Sequence, residues 1–154
     1  MDSIDALKSA ASKIAAEQKL AELVSETRSR LVLGRDAVSV FFASIAMRMK
    51  FSCSFDIETA CTNGRDISVN PAWFNRLSTK ERMGVMAHEI MHIANRHHTR
   101  RGNRDLRRWN IACDLAINHI LTECGFSLPK SGCFPGQGVF SQLPRGKSAE
   151  EYYQ

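Results

Sequence analysis

Residues 78–94 read Ser-Thr-Lys-Glu-Arg-Met-Gly-Val-Met-Ala-His-Glu-Ile-Met-His-Ile-Ala. Ser78 and Glu81 have the spacing of a capping box, and Met83, Met86, Ala87, Ile90, Ile93 and Ala94 behind them recur at helical intervals. The pattern predicts a helix over about residues 79–97. His88 and His92 then lie one turn apart on one face, where both rings can reach a single zinc ion. Glu89 stands beside the first of them, placed to hold a water at the ion and take its proton. Two imidazoles and a carboxylate among apolar neighbours are costly to bury without such a partner.

A catalytic zinc usually has three protein ligands, so a third is sought along the chain. His98 stands where an HExxHxxxxxH pattern would put it, with Asn95 available for the left-handed turn that glycine makes in the metzincins. Metzincins also carry a methionine turn downstream, whereas the last methionine here is Met91. The other candidate is Asp114, which follows His92 by 22 residues on the next predicted helix. Asn110, Asp114 and Asn118 are spaced four apart and form one polar stripe; Trp109, Ala112, Cys113, Ala116, Ile117 and Ile120 occupy the other faces. On such a helix Asp114 would ligate, and Asn118 or Asn110 would orient a ligand from behind.

Outward from this core, apolar residues at three- and four-residue steps predict a helix over 4–33, closed by Gly34, and another over 37–49 containing Phe41, Phe42, Ile45 and Met49. Between 51 and 70 the pattern changes to alternation. Phe51, Cys53, Phe55 and Ile57 suggest one short strand and residues 66–69 a second, with Asn63-Gly64 as a turn and Asn70-Pro71 as the stop, which reads as a small sheet or hairpin. Asn103 or Asp105 can cap the helix from Leu106 to near Gly125. After Pro129 the chain is rich in Gly, Pro and Ser and reads as irregular connection. Ser148 and Glu151 repeat the capping-box spacing at the very end, as the start of a helix that a longer protein continues or whose remainder is lost.

The chain has 154 residues, 44% apolar and 24% charged, enough for one ordinary core, so residues 1–154 read as a single α+β domain, mostly helical. Five cysteines with no CxxC pair argue against a disulfide framework and a four-cysteine zinc module, and place the chain in a reducing cytosol. Asp5, Lys8 and Lys13 interrupt any signal-peptide core, and the most apolar stretch, 37–47, is far shorter than the roughly 20 residues that cross a bilayer. The formal net charge of +5 equals that of residues 96–108 alone, where six arginines face one acid, Asp105. Such a cluster is a solvated loop or a contact for phosphates or acidic proteins.

The return of an acidic residue on a second helix about 20 residues after HExxH, with a polar residue one turn later, resembles the gluzincins, with aspartate in place of glutamate. Four segments carry a closer resemblance. They are Ile67-Ser68-Val69-Asn70-Pro71, Met86-Ala87-His88-Glu89-Ile90-Met91-His92, Arg108-Trp109-Asn110-Ile111-Ala112-Cys113-Asp114 with Ile117-Asn118, and Ser148-Ala149-Glu150-Glu151-Tyr152. Together they resemble the bacterial and phage metallopeptidase-like domain that commonly precedes a von Willebrand factor A-like domain, over about residues 31–152. The resemblance implies a zincin-like architecture and zinc, with a von Willebrand factor A-like domain as a partner and the terminal segment leading toward it.

These readings converge on a zinc metallopeptidase acting on a peptide or protein substrate, with His88, His92 and Asp114 as ligands and Glu89 as general base. The strand over 66–69 would hold extended substrate by edge addition, and no oxyanion stabiliser stands out, His119, Tyr152 and Tyr153 being candidates by residue type alone. Two rivals differ in class. One is a catalytically silent zinc-stabilised scaffold, against which Glu89 speaks, since structural zinc needs no base. The other is a protease for nucleic-acid-bound proteins, like the SprT-like zincins, guided by Arg100, Arg101, Arg104, Arg107 and Arg108 and marked by steep salt dependence.

Overall fold

A computed structural model describes residues 3–34 and 37–154; Met1, Asp2, Arg35 and Asp36 lie outside the described residues. In chain order it runs α1 (Ser3–Leu33), α2 (Ala37–Ala46), β1 (Lys50–Cys53), β2 (Ala60–Thr62), β3 (Asp66–Val69), α3 (Pro71–Arg76), α4 (Thr79–Ala94), α5 (His97–Arg100), α6 (Leu106–Glu123), a 3-10 turn (Gly138–Phe140) and α7 (Ala149–Tyr153). The fold is α+β, with a three-stranded sheet against a mostly helical body. Among the described residues no helix is long and apolar enough to cross a membrane.

Both capping boxes form. Ser78 Oγ accepts from the Glu81 amide while the Glu81 carboxylate accepts from the Ser78 amide, and Ser148 and Glu151 repeat the arrangement. Asp105, not Asn103, caps α6 by accepting from the Arg108 amide at 2.8 Å. The predicted helix over 79–97 ends earlier, at Ala94. Asn95, which the metzincin alternative would need in a left-handed turn, has φ −83°, and Arg96 takes such a turn with φ 53°. That turn breaks α4 and starts the single turn of α5 in a new direction.

The predicted 37–49 helix also stops early, at Ala46, so that Met49 can enter the core just before β1. Asn70-Pro71 ends β3 as expected, but it also starts α3. Asn70 Oδ1 accepts from the Trp73 amide and Pro71 occupies the first turn, where its missing N–H costs nothing.

The sheet corrects the two-strand reading. Its order is β1-β3-β2, with β1 parallel to β3 (Phe51 opposite Ile67, Cys53 opposite Val69) and β2 antiparallel to β3 across the Asn63-Gly64 turn (Ala60 opposite Val69, Thr62 opposite Ile67). β3 is therefore central, with its backbone engaged on both sides, and cannot take an added strand. The edges of the sheet are its outer strands, β1 and β2.

Ile67 and Val69 of β3 turn into a core built from Leu20, Leu23, Val24 and Leu31 of α1, Phe42 of α2, Phe74 of α3, and Val85, Met86, Ala87 and Ile90 of α4. The stripe of α1 meets this body only from Leu20 onward; Ile4, Leu7 and Ile14 are exposed. A second cluster of Trp109, Cys113, Ala116 and Ala149, with Tyr152 and Tyr153 against it, seats α7 on α6. The arginine segment belongs to this seat. Arg100 makes a bidentate pair with Glu150, Arg104 covers Trp109 and Tyr153 at 4.9 and 5.6 Å, and Arg108 covers Tyr153 at 5.0 Å and donates to the Gln154 carbonyl.

Gly84 on α4 lets the segment after α6 lie directly on that helix. A Cβ there would come within 2.0 Å of the Ser127 carbonyl oxygen. Gly84→Ala is therefore expected to lower stability by about 1–3 kcal/mol, as overpacking does, in chemical denaturation. An unchanged midpoint would show that the segment yields freely.

Candidate metal centre

α4 and α6 face each other so that the one-turn pair on the first meets the polar stripe of the second. Nε2 of His88 and Nε2 of His92 are 2.9 Å apart, and Oδ1 of Asp114 lies 3.5 Å from the former and 3.2 Å from the latter. These three atoms converge on one point. His98 is not among them. Its exposed ring packs on the hairpin turn, where a Cβ on Gly64 would strike it at 2.3 Å.

Asn118, 2% exposed, stands behind His88. Its Nδ2 donates to the Cys133 carbonyl at 2.9 Å, which fixes the amide orientation, and its Oδ1 faces His88 Nδ1 at 2.7 Å. An acceptor on Nδ1 places the ring hydrogen there and leaves Nε2 with a bare lone pair toward Asp114 and His92. Asn110, the alternative to Asn118 in the sequence reading, lines the open cleft.

Glu89 is 6% exposed. Burial pushes its carboxyl up to about 7; the adjacent His88 pulls the other way and the Asp114 charge adds to the rise. The carboxyl thus titrates near neutrality, where a proton acceptor is most useful. His97, also buried, is held down to about 4 by burial, then by the neighbouring charges of His92 and Arg100 against Asp114 and Glu150. Burial pushes the Cys113 thiol beneath them up to about 12, with Asp114 adding to the shift.

The centre opens into a cleft of about 320 Å³. Thr59 and the β2 residues Ala60, Cys61 and Thr62 form one wall; Leu128, Pro129, Ser131 and Gly132 form the other. Nothing in the local spacing of the 124–147 connection could assign it to this cleft. None of the oxyanion candidates lines it. His119 Nδ1 meets the Leu115 carbonyl at 3.1 Å, Tyr152 donates to the Pro144 carbonyl, and Tyr153 accepts from the Asp105 amide.

A family model described as "Putative metallopeptidase domain" matches residues 24–154. The chain belongs to that family. The match includes every residue of the centre and leaves out residues 1–23, among them the exposed Ile4, Leu7 and Ile14 of α1 and the buried Leu20 and Leu23. A metallopeptidase domain implies a metal ion, and the two imidazoles and the carboxylate are a donor set able to take one. No curated protein and no solved structure matches the chain.

Arg96 is the only described residue other than glycine with positive φ. Such a conformation costs a side-chain-bearing residue on the order of 1 kcal/mol. Arg96→Gly is expected to hold or raise the thermal midpoint, while β-branched Arg96→Val lowers it; the opposite order would remove the strain.

Proposed function

We propose that the domain is a zinc-dependent peptidase of zincin-like architecture in which His88, His92 and Asp114 hold the ion and Glu89 is the general base. The observation that carries this is the convergence of two Nε2 atoms and one carboxylate oxygen at 2.9–3.5 Å. Ligands arranged tetrahedrally at roughly 2.0–2.1 Å from a shared ion have about this spacing between them. Asn118 supports the set by directing the His88 lone pair inward.

When bound, zinc supplies Lewis acidity, bringing the pKa of water toward neutrality and polarising a carbonyl. The chain's own part is positional and protonic. Glu89 takes a proton from the attacking water and delivers it to the departing amine, the two roles of a positioned carboxylate base. β2, the edge strand beside the centre, offers backbone groups to an extended peptide, which aligns the scissile carbonyl along the cleft. The substrate is therefore an unfolded or extended segment of protein.

Of the five arginines that would guide a nucleic-acid-directed protease, Arg100, Arg104 and Arg108 are engaged with α7. The test is cleavage of an unfolded protein substrate by metal-stripped domain before and after adding one equivalent of zinc. Activity restored by zinc is expected; a zinc-loaded domain that cleaves nothing across a broad panel of extended substrates leaves the silent scaffold.

A further inference from the structure

On the side of His92 away from Asp114 a second imidazole meets it. Nδ1 of His92 lies 3.0 Å from Nδ1 of His97, with ring centroids 5.0 Å apart and planes at 79°. Two nitrogens at that distance share one hydrogen, so one ring donates and the other accepts. The opposite nitrogen of His92, Nε2, points to His88 and Asp114. A neutral imidazole carries a single N–H, so a ring that offers Nε2 to a cation must hold its hydrogen on Nδ1.

We propose that His97 is a positioning residue whose Nδ1 accepts the Nδ1–H of His92, fixing the tautomer and ring orientation in which His92 presents Nε2 to the metal. The proposal rests on the reading of His88, His92 and Asp114 as metal ligands. Three features show that His97 is placed for this. It is 5% exposed, and its ring is held from behind by Trp109, whose Nε1 donates to the His97 carbonyl at 2.8 Å and whose ring lies edge-on at 6.2 Å. The chain reaches this position through the left-handed turn at Arg96, a conformation that persists only where the surroundings over-determine it. His88 has the equivalent support from Asn118 on another element, so each imidazole of the pair has a buried acceptor on its Nδ1.

One arrangement competes. His92, His97 and Cys113 also bring ligand atoms within 4.8 Å of one another, and a cation held there would make His97 a ligand instead of an acceptor. Cys113 and His97 are both enclosed, which leaves such a cation no open position.

The experiment loads zinc and, as a spectroscopic probe, cobalt(II) into wild type, His97→Phe, His97→Asn and Cys113→Ser. Phenylalanine fills the ring's space without an acceptor; asparagine returns an oxygen close to where Nδ1 stood. In chelator competition His97→Phe should lose about 10- to 100-fold in zinc affinity with a changed cobalt spectrum, while His97→Asn and Cys113→Ser stay near wild type. Wild-type affinity in His97→Phe, equal losses in His97→Phe and His97→Asn, or a metal equivalent lost in Cys113→Ser overturns the proposal. A wild type that takes up no zinc overturns the metal-centre reading itself, a separate failure. Independently of folding in any variant, nitrogen-15 correlation spectra of zinc-loaded wild type should show His92 protonated on Nδ1 and His97 on Nε2; the reverse for His97 overturns the assignment.

Discussion

Glu89→Gln is expected to keep its metal and lose peptide hydrolysis by about 100- to 10,000-fold, the usual contribution of a positioned base. The amide fills the same space beside His88 and cannot take a proton. Extended protein substrates belong in the assay alongside short peptides, because a substrate held along β2 needs several residues of contact before its carbonyl reaches the centre. Equal residual cleavage by wild type and variant would assign the activity to a contaminant.

The same substitution has a second consequence, read in the metal-free protein. The Glu89 carboxyl is raised from 4.5 to about 7 on folding, so between those values the folded state holds a proton that the unfolded chain has released. Stability contributed by the neutral carboxyl is complete below pH 4.5 and is lost as pH rises through 7. Glu89→Gln escapes that loss. At pH 8 it should be more stable than wild type by roughly 3 kcal/mol in denaturant titration, with the gap closing toward pH 4.5. A gap independent of pH would show that the carboxyl is not held neutral by burial.

Asp114→Asn and His98→Ala make opposing forecasts and form the second large effect. Asp114 Oδ1 sits within 3.5 Å of both Nε2 atoms, whereas His98 packs on Gly64. Asp114→Asn should weaken zinc binding by more than the roughly 10- to 100-fold typical of outer supports, and His98→Ala should leave it near wild type. Because metal binds the folded state, zinc at a thousand times its dissociation constant stabilises wild type by about 4 kcal/mol, a gain that Asp114→Asn should largely forfeit. The reverse ranking in a chelator competition would make His98 the third ligand.

What the chain reveals locally, it reveals in its sequence. The Ser78–Glu81 box, the one-turn spacing of His88 and His92, and the stripe of Asp114 and Asn118 on an apolar α6 are consequences of helical periodicity, and the elements that carry them stand where the spacing puts them. Even α3 had a local signal, asparagine before proline, which serves equally as a strand stop and a helix start.

The misplaced features are non-local. Whether β3 is central or at the edge depends on where β1 returns, and alternation within 66–69 is the same in both cases. The approach of residues 128–132 to the centre depends on the missing Cβ of Gly84, a glycine that reads in isolation as a weak point in a helix. The turn that aims His97 falls on an arginine, where no propensity would place it. Asn95 was the better local candidate.

Zinc content tests the three-ligand centre at its root. Wild type and His92→Ala, each stripped, exposed to excess zinc and desalted, are analysed for zinc per chain. About one is expected in wild type and close to none in the variant, since two remaining ligands do not hold the ion through desalting. An equal ratio in both proteins, or none in wild type, would contradict a centre built on His88, His92 and Asp114.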